Sequence, residues 1–188
     1  EMTPRLYKYE KNDEGAWTIV WACSLKAGLD KQNTWPALAH GDLDGDGLQE
    51  IIWGPVNWAT DANPNPDRIV VFEEVAATGD DALGIKDGDN YLPNTSFTIS
   101  SDDNDNLRPF RFIIADVDFD DTTEVVFCDR VANWYVGILS VTDVPDNGDG
   151  SETWKVEAGE NNEFGISAEN KWDIAWMDST IYLFDEVR

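Results

Sequence analysis

An all-β chain built from repeated antiparallel units is what this sequence predicts, and three observations carry that reading. The apolar stretches are short, rich in Val, Ile, Trp and Tyr, and bounded by Gly, Pro, Asn and Asp, which is strand and turn chemistry. Essentially no stretch carries helical periodicity. An acidic stretch between two strand-like runs, Gly41–Glu50, returns at Asp116–Glu124 with its four carboxylates in the same spacing.

Taken in order, Arg5–Glu10 alternates as a strand, Lys11–Gly15 is a turn, and Trp17–Leu25 is a second strand, making a hairpin. Residues 26–35 form a polar connection ending at Trp35-Pro36. Strands at Pro36–His40 and Ile51–Val56 flank the first acidic loop. Asn57–Asp67 is rich in Asn, Pro and Asp and reads as a long loop, and Arg68–Val75 is a strand. Ala77–Pro93 reads as loop, with turn signals at Thr78–Asp81 and Asp87–Asn90, before a short strand at Ser96–Ser100.

The pattern then restarts. Asn106-Leu107-Arg108-Pro109 echoes Asn33-Thr34-Trp35-Pro36, and Phe110–Ala115 is the strand before the second acidic loop. Val125-Val126-Phe127 stands where Ile51-Ile52-Trp53 stood. Tyr135–Val141 matches the strand at 68–75, and Glu152–Val156 matches the one at 96–100. A decayed third copy places Asp173-Ile174-Ala175-Trp176 against Glu50–Trp53, with a strand at Thr180–Asp185. Its other loop positions hold Gly165, Ser167 and Glu169, too few carboxylates for a tight metal site.

Units of about four short antiparallel strands repeated along a chain indicate β-propeller blades. The expected organisation is a single β-propeller-like segment over 1–188. A partial blade at 1–35 precedes blades at 36–105 and 106–160, and a degenerate partial blade occupies 161–188. About three blades are too few for an ordinary closed ring. The expectation is therefore a segment of a longer propeller, or an assembly that other chains complete.

The two acidic loops carry the chemistry. Asp42, Asp44 and Asp46 alternate with small or apolar residues, and Glu50 closes the run. Carboxylates this close repel one another strongly unless a cation lies among them. A crowded, all-oxygen, anionic ligand set suits a hard cation. Calcium fits best, because it accepts six to eight oxygens in a flexible shell. The expected ligands are the side chains of Asp42, Asp44, Asp46 and Glu50 with the carbonyl of Leu48. In the second copy they are Asp116, Asp118, Asp120, Thr122 and Glu124. Gly45 and Gly47 permit the positive φ values of a tight wrap. An EF-hand is excluded: its closing Glu falls at loop position twelve, which here is Trp53, and it needs flanking helices. The bland alternative is an acidic hairpin turn that binds nothing.

The 188 residues are enough for one domain with a real core. They carry 38 acidic and 13 basic side chains, a net charge of −25. That balance argues against nucleic acid, whose recognition rests on neutralising phosphates, and against anionic membrane surfaces. No apolar run reaches the length of a membrane span, so no membrane insertion is expected. Weak calcium modules work where free calcium is millimolar, so an extracellular, cell-surface or periplasmic setting is expected. The chain opens at Glu1 with no signal peptide, as a mature or excised piece would. Cys23 and Cys128 sit in apolar strands, as buried thiols or, in an oxidising compartment, as a disulfide.

The strand–Asp-x-Asp-x-Asp-Gly-x-x-Glu–strand unit resembles the FG-GAP/VCBS repeat family, the calcium-loop blades also found in integrin alpha-chain propellers. The first loop matches at Asp42, Asp44, Asp46, Gly47 and Glu50. The second matches at Asp116, Asp118, Asp120 and Glu124, but Asp121 replaces the usual Gly and must adopt an uncommon backbone conformation. The resemblance implies an adhesion, binding or structural module in which calcium rigidifies the blade edges.

Other candidates are weaker. His40 is the only histidine and lacks partners for a triad or a multi-His site. No Gly-x-Ser-x-Gly or His-Glu-x-x-His motif is present, so no enzymatic activity is expected. The acidic segments Ser101–Asn106 and Asp146–Glu152 read as turns. Trp53 and Trp176 occupy equivalent repeat positions and should pack between sheets. Trp35, Trp58 and Trp134 lie in or beside loops, the better places for a protein or glycan partner. The leading expectation is a non-enzymatic calcium-binding module for adhesion, interaction or assembly. The accessory, carbohydrate-binding domain of a secreted enzyme and a filament subunit are the alternatives.

Overall fold

The computed structural model describes residues 5–24, 34–55, 68–75, 82–97, 107–129, 136–142, 153–166 and 170–186. In chain order, β1 (Arg5–Lys11) and β2 (Trp17–Ser24) pair as an antiparallel hairpin. Next come β3 (Thr34–Gly41), β4 (Glu50–Pro55) and β5 (Ile69–Glu73), then β6 (Ile85–Asp87), β7 (Asn90–Leu92) and β8 (Thr95–Phe97). Strands β3, β4, β5 and β8 form one four-stranded antiparallel sheet, and β6 pairs only with β7. The second four-stranded sheet is a plain meander of β9 (Pro109–Ala115), β10 (Glu124–Asp129), β11 (Val136–Thr142) and β12 (Thr153–Ala158). A last hairpin joins β13 (Asn170–Met177) to β14 (Thr180–Glu186). Among the described residues the fold is all-β apart from one 3₁₀ turn at Glu160–Asn162, and none of these sheets closes on itself.

The β6–β7 hairpin corrects the loop expected over 77–93. Its strands are three residues long, too short for alternation to announce them. The turn signal at Asp87-Gly88-Asp89-Asn90 was its trace, and Gly88 takes a φ of +64° there. The hairpin clamps β2. Ser24 N–H donates to Asn90 Oδ1 at 2.9 Å, Asn90 Nδ2 returns a bond to the Ser24 carbonyl at 2.7 Å, and the Trp21 indole packs against Tyr91.

Strands with apolar residues on both faces must be covered on both sides, and the period-2 alternation sorts their side chains between two cores. Val70, Phe72 and Trp53 face the first hairpin, where they meet Trp21, Cys23 and Leu83. Ile52, Ile69 and Val71 face the second sheet and meet Phe112, Val125, Phe127, Leu139 and Val141. Val126, Cys128 and Val136 point the other way, onto Ile174 of the last hairpin. The layers therefore stack in sequence order: hairpin, sheet, sheet, hairpin. Each fully buried Phe72, Phe127 or Ile52 side chain contributes roughly 1.5–3 kcal/mol of apolar transfer.

The repeat is legible in this packing. Residues 51 and 53, and their counterparts 125 and 127, face the preceding layer. Residues 52 and 126 face the following one. The two sheets meet at their first strands, where a Cβ on Gly41 would lie 2.6 Å from Ile114 Cγ2. Trp53 is buried between layers and Trp176 packs against the last core, as their repeat positions require. Cys23 and Cys128 are free, buried thiols in different cores, and burial pushes both up to about 12. The expected turns at 101–106 and 146–152, and residues Trp58 and Trp134, lie outside the described residues. Trp35 is in β3, but its side chain is not described.

Candidate metal centre

Both acidic loops connect the first and second strands of a four-stranded sheet, and their internal wiring matches at all but one bond. In the first, Asp42 turns back over the loop. Its Oδ1 accepts the Gly45 N–H at 2.7 Å and its Oδ2 the Gly47 N–H at 3.1 Å. Asp44 Oδ1 accepts from Asp46 N–H at 3.0 Å, and Asp46 Oδ1 from Leu48 N–H at 2.7 Å. Glu50 closes the loop by accepting the Leu43 N–H on Oε2. In the second loop Asp116 spans to Asp120 and Asp121 N–H, both at 3.1 Å. Asp118 accepts from Asp120 N–H, Asp120 from Thr122 N–H, and Glu124 Oε2 from Val117 N–H at 2.8 Å.

Those bonds force the chain round a tight wrap with two left-handed residues. The first loop puts Gly45 (φ +83°) and Gly47 (φ +91°) at these positions. The second puts Phe119 (φ +64°) and Asp121 (φ +69°) at the equivalent ones, each more costly than glycine. The Asp121 conformation follows from the motif. That of Phe119 was not foreseen, and its exposed ring rests against Trp176, centroids 6.2 Å apart. Leu43 and Val117 peg each loop into the core on its C-terminal side.

The wrap converges the carboxylates. Ligand oxygens of Asp42, Asp44 and Glu50 lie within 4.8 Å of one another, as do those of Asp116, Asp118 and Glu124. These groups can hold a metal ion. Asp46 lies instead with Asp44 and Glu73 in a further triad, and Asp120 outside the second-loop triad. The Leu48 carbonyl accepts a bond from the Gln49 side chain at 3.2 Å, and no contact places the Thr122 carbonyl.

Glu50 is 4 % exposed, and its Oε1 is buried without a hydrogen-bond partner. A buried carboxylate oxygen with nothing to bind costs desolvation free energy, and a cation at the triad would remove that cost. Burial, more than the nearby Asp44, Glu73 and Asp42, pushes the Glu50 carboxyl up to about 8. Burial also raises Glu124, with Asp118, Asp120 and Asp116 adding to it, and raises Asp44, beside Asp46 and Asp42. A metal ion entering either triad must therefore displace protons held more tightly than on a free carboxyl.

Glu73 is the site residue that sequence reasoning missed. It lies at the end of β5, directly opposite Glu50 in the antiparallel register, and is 4 % exposed. The only local signal was an acidic residue closing an apolar strand. In the degenerate third unit Asp173 is exposed, accepts its neighbour's N–H and pairs with Arg111 at 3.6 Å. His40 is exposed on β3, outside these triads, and lines a mostly apolar cleft with Lys8, Leu38 and Ile51. Compared with known proteins, the chain matches no family model, no curated protein and no solved structure.

Proposed function

We propose that this chain is a non-enzymatic, extracellular calcium-binding module of propeller-like blades, used in adhesion, protein interaction or surface assembly. One observation carries the reading: two loops 74 positions apart share all but one of their carboxylate-to-backbone bonds, and each converges three carboxylates, one of them the buried closing Glu. Calcium suits them better than magnesium, which demands a near-ideal octahedron and gives up its waters reluctantly. The resemblance to FG-GAP/VCBS blades rests on these loops, and the layers stacked in chain order fit it.

The mechanism is linkage. An ion bound by the folded loops and not by the unfolded chain stabilises the folded state. Gly41, at the end of β3, lies against Ile114 near the end of β9, so both loops leave the same edge of the stack. Calcium would order that edge as a face for a protein or glycan partner. The net charge of −25 suits a medium where divalent cations screen self-repulsion.

Assembly is the second reading, and the outer hairpins favour it. Tyr7, Tyr9, Trp17 and Ile19 are exposed on the first, and Met177, Tyr182 and Phe184 on the last. Terbium luminescence tests the main reading. With Trp176 beside the second loop, a saturable sensitised signal is expected that calcium, but not equimolar magnesium, displaces. The absence of a saturable signal would contradict it. Sedimentation at high concentration tests assembly, which a strictly monomeric protein would exclude.

A further inference from the structure

The two loops differ in what the third strand of each sheet brings to them. In the second sheet the residue opposite Glu124 is Ser140, a neutral hydroxyl that donates to Glu157 at 2.6 Å. Glu157 in turn pairs with Lys155 at 2.8 Å, a cation close enough to feel Asp118 and Asp120. In the first sheet the residue opposite Glu50 is Glu73, and both are 4 % exposed. Directly opposed side chains in an antiparallel pair are neighbours, and like charges there destabilise the sheet.

Glu73 is held in place. Asn94, itself buried, accepts the Glu73 N–H on Oδ1 at 2.8 Å and donates from Nδ2 to Glu73 Oε2 at 3.3 Å. So fixed, the Glu73 carboxylate brings an oxygen within 4.8 Å of Asp44 and Asp46, while Asp44 also belongs to the triad with Asp42 and Glu50. Asp44, Glu50 and Glu73, members of the two triads, line one small cavity, and Glu50 Oε1 is buried without a hydrogen-bond partner.

Building on the calcium reading above, we propose that the first loop takes two divalent cations. One is held by Asp42, Asp44 and Glu50, the other by Asp44, Asp46 and Glu73, and Asp44 bridges them. Charge arithmetic supports this. Five carboxylates with one dication leave −3, and with two leave −1. The four of the second loop with one dication leave −2, which Lys155 partly offsets. Paired cations sharing a ligand oxygen, about 3.5–4 Å apart, are an established arrangement.

Equilibrium dialysis of the full chain with radioactive calcium at neutral pH tests this. Three bound ions are expected per chain. Glu73→Gln, and Glu73→Ser, which copies Ser140, should each bind two, and Glu73→Gln, which keeps an acceptor for Asn94, should melt no lower than the parent without metal. Asp118→Asn should lose the second-loop ion and also bind two. Two ions in the parent, or three retained in Glu73→Gln, would overturn the two-cation site and leave the calcium reading standing. No ion bound at all would remove both.

Discussion

Replacing Asp44 by Asn separates the roles of this side chain as ligand and as turn former. The amide oxygen can still accept the Asp46 N–H that Asp44 Oδ1 accepts at 3.0 Å, so the turn survives. What is lost is an anionic oxygen, half-buried and crowded by Asp46 and Asp42. Without metal, losing that charge should leave the melting temperature unchanged or slightly raised. With calcium at a hundredfold excess over its dissociation constant, each bound ion stabilises the folded state by about 2.7 kcal/mol. A chain of this length gains roughly 2–4 °C per kcal/mol, so each bound ion is worth about 5–11 °C. Circular-dichroism melts in chelator and in calcium read this directly. Asp44→Asn should lose the first loop's share of the shift, and Asp44→Asn with Asp118→Asn all of it. An unchanged shift in the double variant would refute the reasoning.

Further expectations follow from the same geometry. The Glu50 carboxyl is raised from 4.5 to about 8, so the metal-free fold holds its proton more tightly than the unfolded chain does. Metal-free stability should therefore fall as pH rises from about 4.5 through about 8. Calcium displaces that proton, so affinity at the first loop should weaken below pH 8, by up to about tenfold per unit. Calorimetry in buffers of different ionisation enthalpy would detect the released proton. Gly47→Ala meets no atom within 4 Å and costs only its left-handed backbone, about 1 kcal/mol. Gly159→Ala would drive a Cβ to 2.1 Å from the Val136 carbonyl oxygen at φ +101°, and should cost about 3 kcal/mol or more. Chemical denaturation ranks the two. Both thiols should resist a thiol reagent in the native state and react only on unfolding, because their burial suppresses the thiolate.

The strands and the two loops were legible because their signals are local. Val125-Val126-Phe127 and Ile69–Phe72 are continuous apolar runs, and four carboxylates at fixed spacing define a loop without reference to anything distant. What escaped depends on the register between strands. Glu73 enters the site only because antiparallel pairing sets it opposite Glu50, and nothing in Val71-Phe72-Glu73-Glu74 announces that partner. The β6–β7 hairpin escaped because three residues hold too little alternation to read. Phe119 at φ +64° escaped because the wrap of Asp116 onto Asp120 and Asp121, and not the residue's own preference, sets its backbone. The layering in chain order was implied by the repeats. That the same face of each sheet would meet its C-terminal neighbour needed the structure.

Calcium binding by this chain requires cations lying among the converged carboxylates. Crystals grown with calcium and soaked in terbium, with diffraction collected at a terbium absorption edge, put that to the most direct test. The expected anomalous difference map has peaks enclosed by Asp42, Asp44 and Glu50 and by Asp116, Asp118 and Glu124, each with ordered oxygens around it. A map without peaks at either loop, with the side chains turned out to solvent, would contradict it.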